Sequence, residues 1–101
     1  MFGITQNTIN ELNNIFHKYE NIEKVIIFGS RAKGNFREGS DIDLTIIGDI
    51  ERKDLMKIKD EIDDSYIPYL FDISIYDDLN SESLKEHINR VGKIFYQKNL
   101  K

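Results

Sequence analysis

The spacing of the apolar residues changes repeatedly between helical and strand periods, and this alternation limits the folds open to the chain. Near the N terminus, apolar side chains recur every three to four residues, as on one face of a helix: Ile9, Leu12, Ile15, Phe16 and Tyr19. Thr5 or Asn7 is a candidate cap for that helix. Residues 24–28 are rich in β-branched and apolar side chains after Lys24, and Gly29 follows them, which predicts a buried strand.

The same alternation continues along the chain. A short helix is predicted from Ser30, a second strand over residues 41–47, a charged surface helix over residues 51–66 and a third strand over residues 70–76. A last helix is predicted from apolar residues at helical spacing, with Asn80 or Ser81 as its cap: Leu84, Ile88, Val91 and Phe95. The order α-β-α-β-α-β-α predicts an α/β (α+β) fold, with a small three-stranded sheet flanked by about four helices.

Length, charge and cysteine content narrow the class of protein. At 101 residues, the chain is expected to form a single domain over residues 1–101, too short for a catalytic domain with an added substrate-binding domain. The net charge of -4 argues against direct DNA binding, which needs a clustered basic surface. The longest apolar run, residues 25–28, is far too short to cross a membrane. The chain has no cysteine, which excludes disulfides and thiolate metal sites and fits a cytoplasmic protein.

The most informative motif pairs two aspartates on the second predicted strand. Because successive strand residues point to opposite faces, Asp41 and Asp43 share one face, about 7 Å apart. Asp72 has the same parity on the third strand, so three carboxylates meet if the two strands adjoin. Their repulsion raises pKa values and favours cations, and magnesium is expected because it prefers oxygen ligands. Two such ions, held by Asp41, Asp43 and Asp72, are the predicted metal site.

A second group of residues suits phosphate. Gly29 lets backbone amides approach a phosphate closely, and the Ser30 hydroxyl can donate to its oxygens. Arg31, Lys33 and Arg37 are candidates to pair with a triphosphate tail, and Arg31 lies nearest to the turn. Just before the aspartate pair, Ser40 can order the loop or a metal ligand.

Each element taken alone also has a purely structural interpretation. A Gly-Ser pair after a strand is usually a turn, an Asp-x-Asp sequence is commonly a solvated strand end, and the basic residues can balance a local acidic charge. His17 and His87 are isolated in the sequence and are expected to be surface or helix-boundary residues. The agreement of spacing, strand placement and parity nevertheless favours the functional interpretation.

Together these residues resemble the minimal nucleotidyltransferases of the DNA polymerase β superfamily, over nearly the whole chain. The resemblance rests on Gly29-Ser30-Arg31-Ala32-Lys33-Gly34, on Ser40-Asp41-Ile42-Asp43-Leu44 and on Asp72. It implies a mixed sheet and transfer of a nucleoside monophosphate from a nucleoside triphosphate, usually ATP, to a hydroxyl. It also implies that Asp41 and Asp43 hold two magnesium ions, that Asp72 completes the site and assists deprotonation, and that Gly29 and Ser30 hold the β and γ phosphates.

The resemblance also suggests an acceptor. Family members of this size are often paired with a HEPN-domain toxin, and the nucleotidyltransferase then resembles an antitoxin that adenylylates a tyrosine of the toxin. Two alternatives stay open: transfer to a small molecule, similar to the enzymes that modify aminoglycosides, and a non-catalytic module that neutralises its partner by binding alone. The acceptor, the nucleotide preference, the number of nucleotides added and the oligomeric state are not set by the sequence.

Overall fold

The computed structural model describes residues 3–34 and 41–98 and shows alternating helices and strands. The elements in chain order are α1 (Gln6–His17), β1 (Ile22–Phe28), α2 (Ser30–Lys33), β2 (Ile42–Gly48), α3 (Arg52–Asp64), β3 (Phe71–Ile75), a 3-10 turn (Tyr76–Asp78), α4 (Glu82–Val91) and β4 (Lys93–Gln97). Thr5 and Ser81 cap α1 and α4, because each side chain accepts a hydrogen bond from a backbone amide of the first helical turn.

The strands form one mixed sheet in the order β3-β2-β1-β4. β1 is antiparallel to both of its neighbours, whereas β2 and β3 run parallel. The mixed sheet flanked by helices is therefore confirmed, but the predicted count of three strands is wrong, since the described residues form four.

The strand that was not predicted is β4, because its residue Phe95 was assigned to the last helix. The helix ends at Val91, and Phe95 lies in β4, paired with β1, instead of continuing the helical stripe. Gly92 marks the change, because a Cβ there would collide with the Ile26 side chain and with the carbonyl oxygen of Ile88. A residue without a side chain thus lets the chain leave α4 close to the sheet and return along β1.

The core lies on one face of the sheet, beneath α1 and α3. Alternate strand residues are fully buried there together with helical side chains, the largest of them Phe16, Leu12, Ile27, Ile42, Leu44, Ile46 and Ile58. Phe16 packs edge-on against Phe95, with 6.5 Å between ring centroids. On the opposite face, Ile26 and Ile88 are buried outside this cluster, where α4 crosses β1. None of the helices within the described residues is long and apolar enough to span a membrane.

Candidate active site

Two carboxylates face each other across the parallel strands β2 and β3. Asp43 and Asp72 are direct partners in the register, and the amide of Ile42 donates to the carbonyl of Leu70 at 2.9 Å where the two strands begin. Neighbouring strands lie about 4.8 Å apart, so both side chains rise from the same face at close range. The second and third strands do adjoin, which is the condition under which the sequence brings the carboxylates together. The third carboxylate, Asp41, lies one residue before β2 rather than within it, and it is exposed.

The environment of Asp43 disfavours its charged form. Burial is the main cause that raises the pKa of Asp43 above the usual value, and the negative charges of Asp72 and Asp41 raise this pKa further. The His87 imidazole acts on the same carboxyl in the opposite direction. A half-buried carboxylate beside two others is a site that a cation stabilises.

The glycine turn that follows β1 lies directly against the Asp43 carboxylate. Phe28, the last residue of β1, is the register partner of Asp43, and Gly29 follows with φ of 78°. A Cβ at Gly29 would overlap the Asp43 carboxylate oxygen Oδ2, so a glycine is required both by the backbone angle and by the close approach. Ser30 then begins α2, as predicted. The turn proposed for phosphate and the carboxylates proposed for metal therefore form one continuous site.

The structure describes contacts of Arg31, one of the side chains predicted to bind phosphate. Arg31 is only 3% exposed, its guanidinium donates to the carbonyl of Gly3 at 3.3 Å, and its Cζ lies 5.5 Å from the ring centroid of Tyr69. The described contacts thus direct this side chain toward the N-terminal segment, and its role toward phosphate stays a prediction. Ser40 and Arg37 lie outside the described residues.

The donor set fits magnesium, although the carboxylates do not enclose an ion by themselves. Within residues 3–34 and 41–98, no three His, Cys, Asp or Glu side chains converge closely enough to hold a metal ion. Magnesium is usually held by one or two carboxylates, with phosphate and water oxygens completing its shell. Asp43 and Asp72 supply such a pair, and Asp41 stands within two residues of it.

A hydroxyl pair, of which Thr45 is fully buried and Ser74 half-buried, connects the two strands beneath the carboxylates. Thr45 and Ser74 are the partners two residues beyond Asp43 and Asp72 on the same face. Ser74 Oγ donates to Thr45 Oγ1 at 3.1 Å, and Thr45 is fully buried. This hydrogen bond links β2 and β3 one step beyond the carboxylate pair, on the same face of the sheet.

One residue near the site was not expected from the sequence. His87, expected to be a surface or helix-boundary residue, is half-buried within α4, and its ring makes an edge contact with Phe28, with centroids 6.4 Å apart. A signal was present, because His87 falls three residues after Leu84 and four before Val91, on the apolar stripe of the helix. A polar residue on such a face faces the sheet rather than solvent.

Comparison with known proteins connects this geometry to a family. The family model described as polymerase beta, nucleotidyltransferase matches residues 10–101. Over 30 residues, the chain is 53% identical to a protein of Methanocaldococcus jannaschii that is provisionally named a protein adenylyltransferase. That match covers 30% of this chain and only 30% of the length of the relative.

Solved structures share the fold at low sequence identity. A toxin-antitoxin structure with AMP-PNP aligns with a TM-score of 0.71 and 16% identity, over 95% of this chain and 76% of that one. A mutant form of the MntA-HpeT toxin-antitoxin aligns with a TM-score of 0.70 and 14% identity over the same shares of 95% and 76%. A provisionally assigned nucleotidyltransferase from Sulfolobus solfataricus aligns with a TM-score of 0.56 and 20% identity, over 90% of this chain and 78% of that one.

Proposed function

The chain belongs to the polymerase β nucleotidyltransferase family, and we propose that it transfers AMP from ATP to a hydroxyl group with the help of two magnesium ions. The observation that carries this proposal is the contact between the Gly29 turn and Asp43, which is itself in register with Asp72. This contact joins a backbone suited to phosphate with carboxylates suited to a divalent cation. Nucleotidyl transfer needs both at one place.

Each group of site residues has a separate proposed role in the transfer. Asp72, exposed at the edge strand β3, is the proposed acceptor of the proton that the attacking hydroxyl loses. The hydroxyl oxygen forms a bond to the α-phosphorus, the bond from that phosphorus to the bridging oxygen breaks, and pyrophosphate leaves. Gly29 and Ser30 are the proposed cradle for the β and γ phosphates. Asp41, Asp43 and Asp72 would hold the magnesium ions, which supply charge neutralisation at the phosphates when bound.

The acceptor that we propose is a tyrosine of a partner toxin with a HEPN domain. Two observations support it: the folds of solved toxin-antitoxin structures align over nearly the whole chain, and the relative from Methanocaldococcus jannaschii is provisionally named a protein adenylyltransferase. The chain would then act as an antitoxin. The cytoplasm is the proposed location, because ATP and magnesium are available there and the chain carries no cysteine.

Labelled ATP tests the proposal. The purified chain is incubated with α-labelled ATP, magnesium and a HEPN protein encoded beside it, and tyrosine-linked AMP on that protein is identified by mass spectrometry. We expect labelling with the wild type, loss of labelling with Asp41→Asn and Asp43→Asn combined, and loss on chelation of magnesium. Equal labelling by the double variant would refute the proposed site, and label on an aminoglycoside instead of the protein would identify a small-molecule acceptor.

A rescue assay separates chemistry from binding. If adenylylation neutralises the toxin, cells that express the toxin survive with the wild type but not with the double variant at equal expression. Survival with both proteins would mean that complex formation alone is protective.

A further inference from the structure

Helix α4 packs on the sheet face that carries the carboxylates, and His87 lies on the side of the helix that contacts the sheet. Ile88 is buried, and Gly92 packs against Ile26 of β1, so this side of α4 lies on the sheet face that carries Asp43. The His87 ring meets Phe28 edge-on, with an interplanar angle of 80°. The helix therefore holds the imidazole over the end of β1.

His87 lies close to both parts of the proposed site, the Gly29 turn for phosphate and the carboxylate pair for metal. Phe28 is the register partner of Asp43 and is followed directly by the Gly29 turn. The His87 ring contacts Phe28, so it lies beside the residue that is paired with Asp43 and that leads into the Gly29 turn.

The ring nitrogens of His87 have unused hydrogen-bonding capacity. In the described ranges, His87 makes a ring contact but no hydrogen bond, although it is half-buried. The other histidine of the chain, His17, has Nδ1 3.4 Å from the hydroxyl of Tyr96. The ring nitrogens of His87 are not among the fully buried polar atoms that lack a partner in the described residues, so they are open to water or to a ligand.

We propose that His87 donates a hydrogen bond to the triphosphate of the bound nucleotide, on the β and γ side. This inference rests on the proposed function, which puts those phosphates at Gly29 and Ser30, the residues that continue from Phe28. A triphosphate bound at the Gly29 turn would bring charged oxygen acceptors near Phe28, the residue that the imidazole contacts. His87 is accordingly a nucleotide-binding residue for the family reaction.

Direct binding measurements test the assignment without requiring turnover. Binding of AMP-PNP and of AMP, each with magnesium, is measured by calorimetry for the wild type, His87→Ala, His87→Phe, His87→Gln and His87→Asn. We expect Ala and Phe to weaken AMP-PNP binding about tenfold, because a hydrogen bond to a charged group is lost, and to leave AMP binding unchanged. Either Gln or Asn should recover most of the affinity, since its amide keeps a donor near one of the ring nitrogens.

The matched control is His17→Gln, which changes the other histidine at its contact with Tyr96 and should leave both affinities unchanged. Unchanged AMP-PNP binding by His87→Ala would overturn the proposal. Recovery by Phe but not by Gln or Asn would also overturn it, because ring packing on Phe28 would then explain the effect. Equal losses for AMP and AMP-PNP would rule out the β and γ phosphates. If the wild type binds AMP-PNP but labels no acceptor, the proposed transfer fails while the His87 comparison still stands.

Discussion

At the scale of single residues, Asp43 suits the proposed metal site but lowers the stability of the metal-free protein. It is half-buried, and its neighbours in space include two further carboxylates. A residue selected only for stability would not be an ionised carboxylate in that place. The structure accommodates it because Gly29 leaves room for its oxygen and because the Thr45–Ser74 pair connects the strands beneath it.

Replacing Asp43 by Asn should therefore separate activity from stability. We expect Asp43→Asn to lower the rate of transfer by about a thousandfold, since a metal ligand supports several kcal/mol of transition-state stabilisation, about 4 kcal/mol here. The same change should raise the free energy of unfolding of the metal-free protein at neutral pH. Urea unfolding and the labelling assay measure the two effects, and Asp49→Asn, an exposed change of the same kind just beyond β2, should alter neither.

The stability difference should depend on pH in a defined direction. The pKa of Asp43 is raised in the folded protein above the ordinary 3.8, so the folded state binds the proton more tightly than the unfolded state. Wild-type stability then decreases relative to Asp43→Asn as pH rises from about 3.8 through the raised pKa, and the difference is constant above it. A difference that is largest at low pH and vanishes at neutral pH would contradict this assignment.

Two glycines with positive φ distinguish backbone strain from collision with the site. Gly34, with φ of 86° and ψ of 2°, is left-handed, so alanine there should cost about 1 kcal/mol. Gly29, with φ of 78° and ψ of -155°, lies in a region that is essentially restricted to glycine, so alanine there should cost more, about 1–3 kcal/mol. Only at Gly29 does the added Cβ meet Asp43, whereas at Gly34 it meets nothing within 4 Å. We expect Gly29→Ala to abolish most AMP transfer and Gly34→Ala to retain it, as measured by labelling at matched folded fractions. Similar activities of the two variants would show that the contact with Asp43 is not needed.

At the scale of elements, the spacing of apolar and acidic residues predicted the type of most elements and the face on which their side chains lie. The parity of apolar and acidic residues placed Asp43 and Asp72 on one face, and the structure pairs them in register. The same reasoning missed β4, because Phe95 satisfies a helical stripe and a buried strand position equally well, and only packing of Gly92 against β1 decides between them. The direction of the Arg31 side chain was equally beyond reach, since Tyr69 and the carbonyl of Gly3 contact it from distant parts of the chain.

Helix α4 depends on its cap, and the site depends on α4. Ser81 Oγ accepts a hydrogen bond from the amide of Leu84 at 3.1 Å, so Ser81→Ala should lower the free energy of unfolding by about 1 kcal/mol. Ser83→Ala is the matched control, because Ser83 is an exposed helical residue and alanine favours a helix. Thermal unfolding measures the difference. Equal midpoints for the two variants would mean that α4 does not need this cap.

At the scale of the whole molecule, one face of the sheet carries the hydrophobic core and the other carries the candidate active site. The face beneath α1 and α3 holds the apolar core, and the opposite face carries Asp43, Asp72 and α4. The separation means that the core sets stability while the acidic face sets chemistry. Substitutions on the core face should therefore change how much protein is folded rather than how fast each folded molecule reacts.

Two leucines allow this separation to be measured with one chemical change. Leu12 is fully buried in α1, whereas Leu70, just before β3, is 72% exposed. Leu12→Ala should lower the free energy of unfolding by about 2–5 kcal/mol through lost burial and a cavity, and Leu70→Ala should change it by about 0.5 kcal/mol or less. Total stabilities of such domains are about 5–15 kcal/mol, so the rates are compared under conditions in which the urea titration shows Leu12→Ala to be folded. Urea titrations give the stabilities, and AMP transfer below the unfolding transition gives the rate for folded protein. We expect the Leu12→Ala rate to match the wild type there, because the core residue lies on the face of the sheet opposite the carboxylates. A rate that falls with stability, even where the variant is fully folded, would show that the core and the active site are coupled through the sheet.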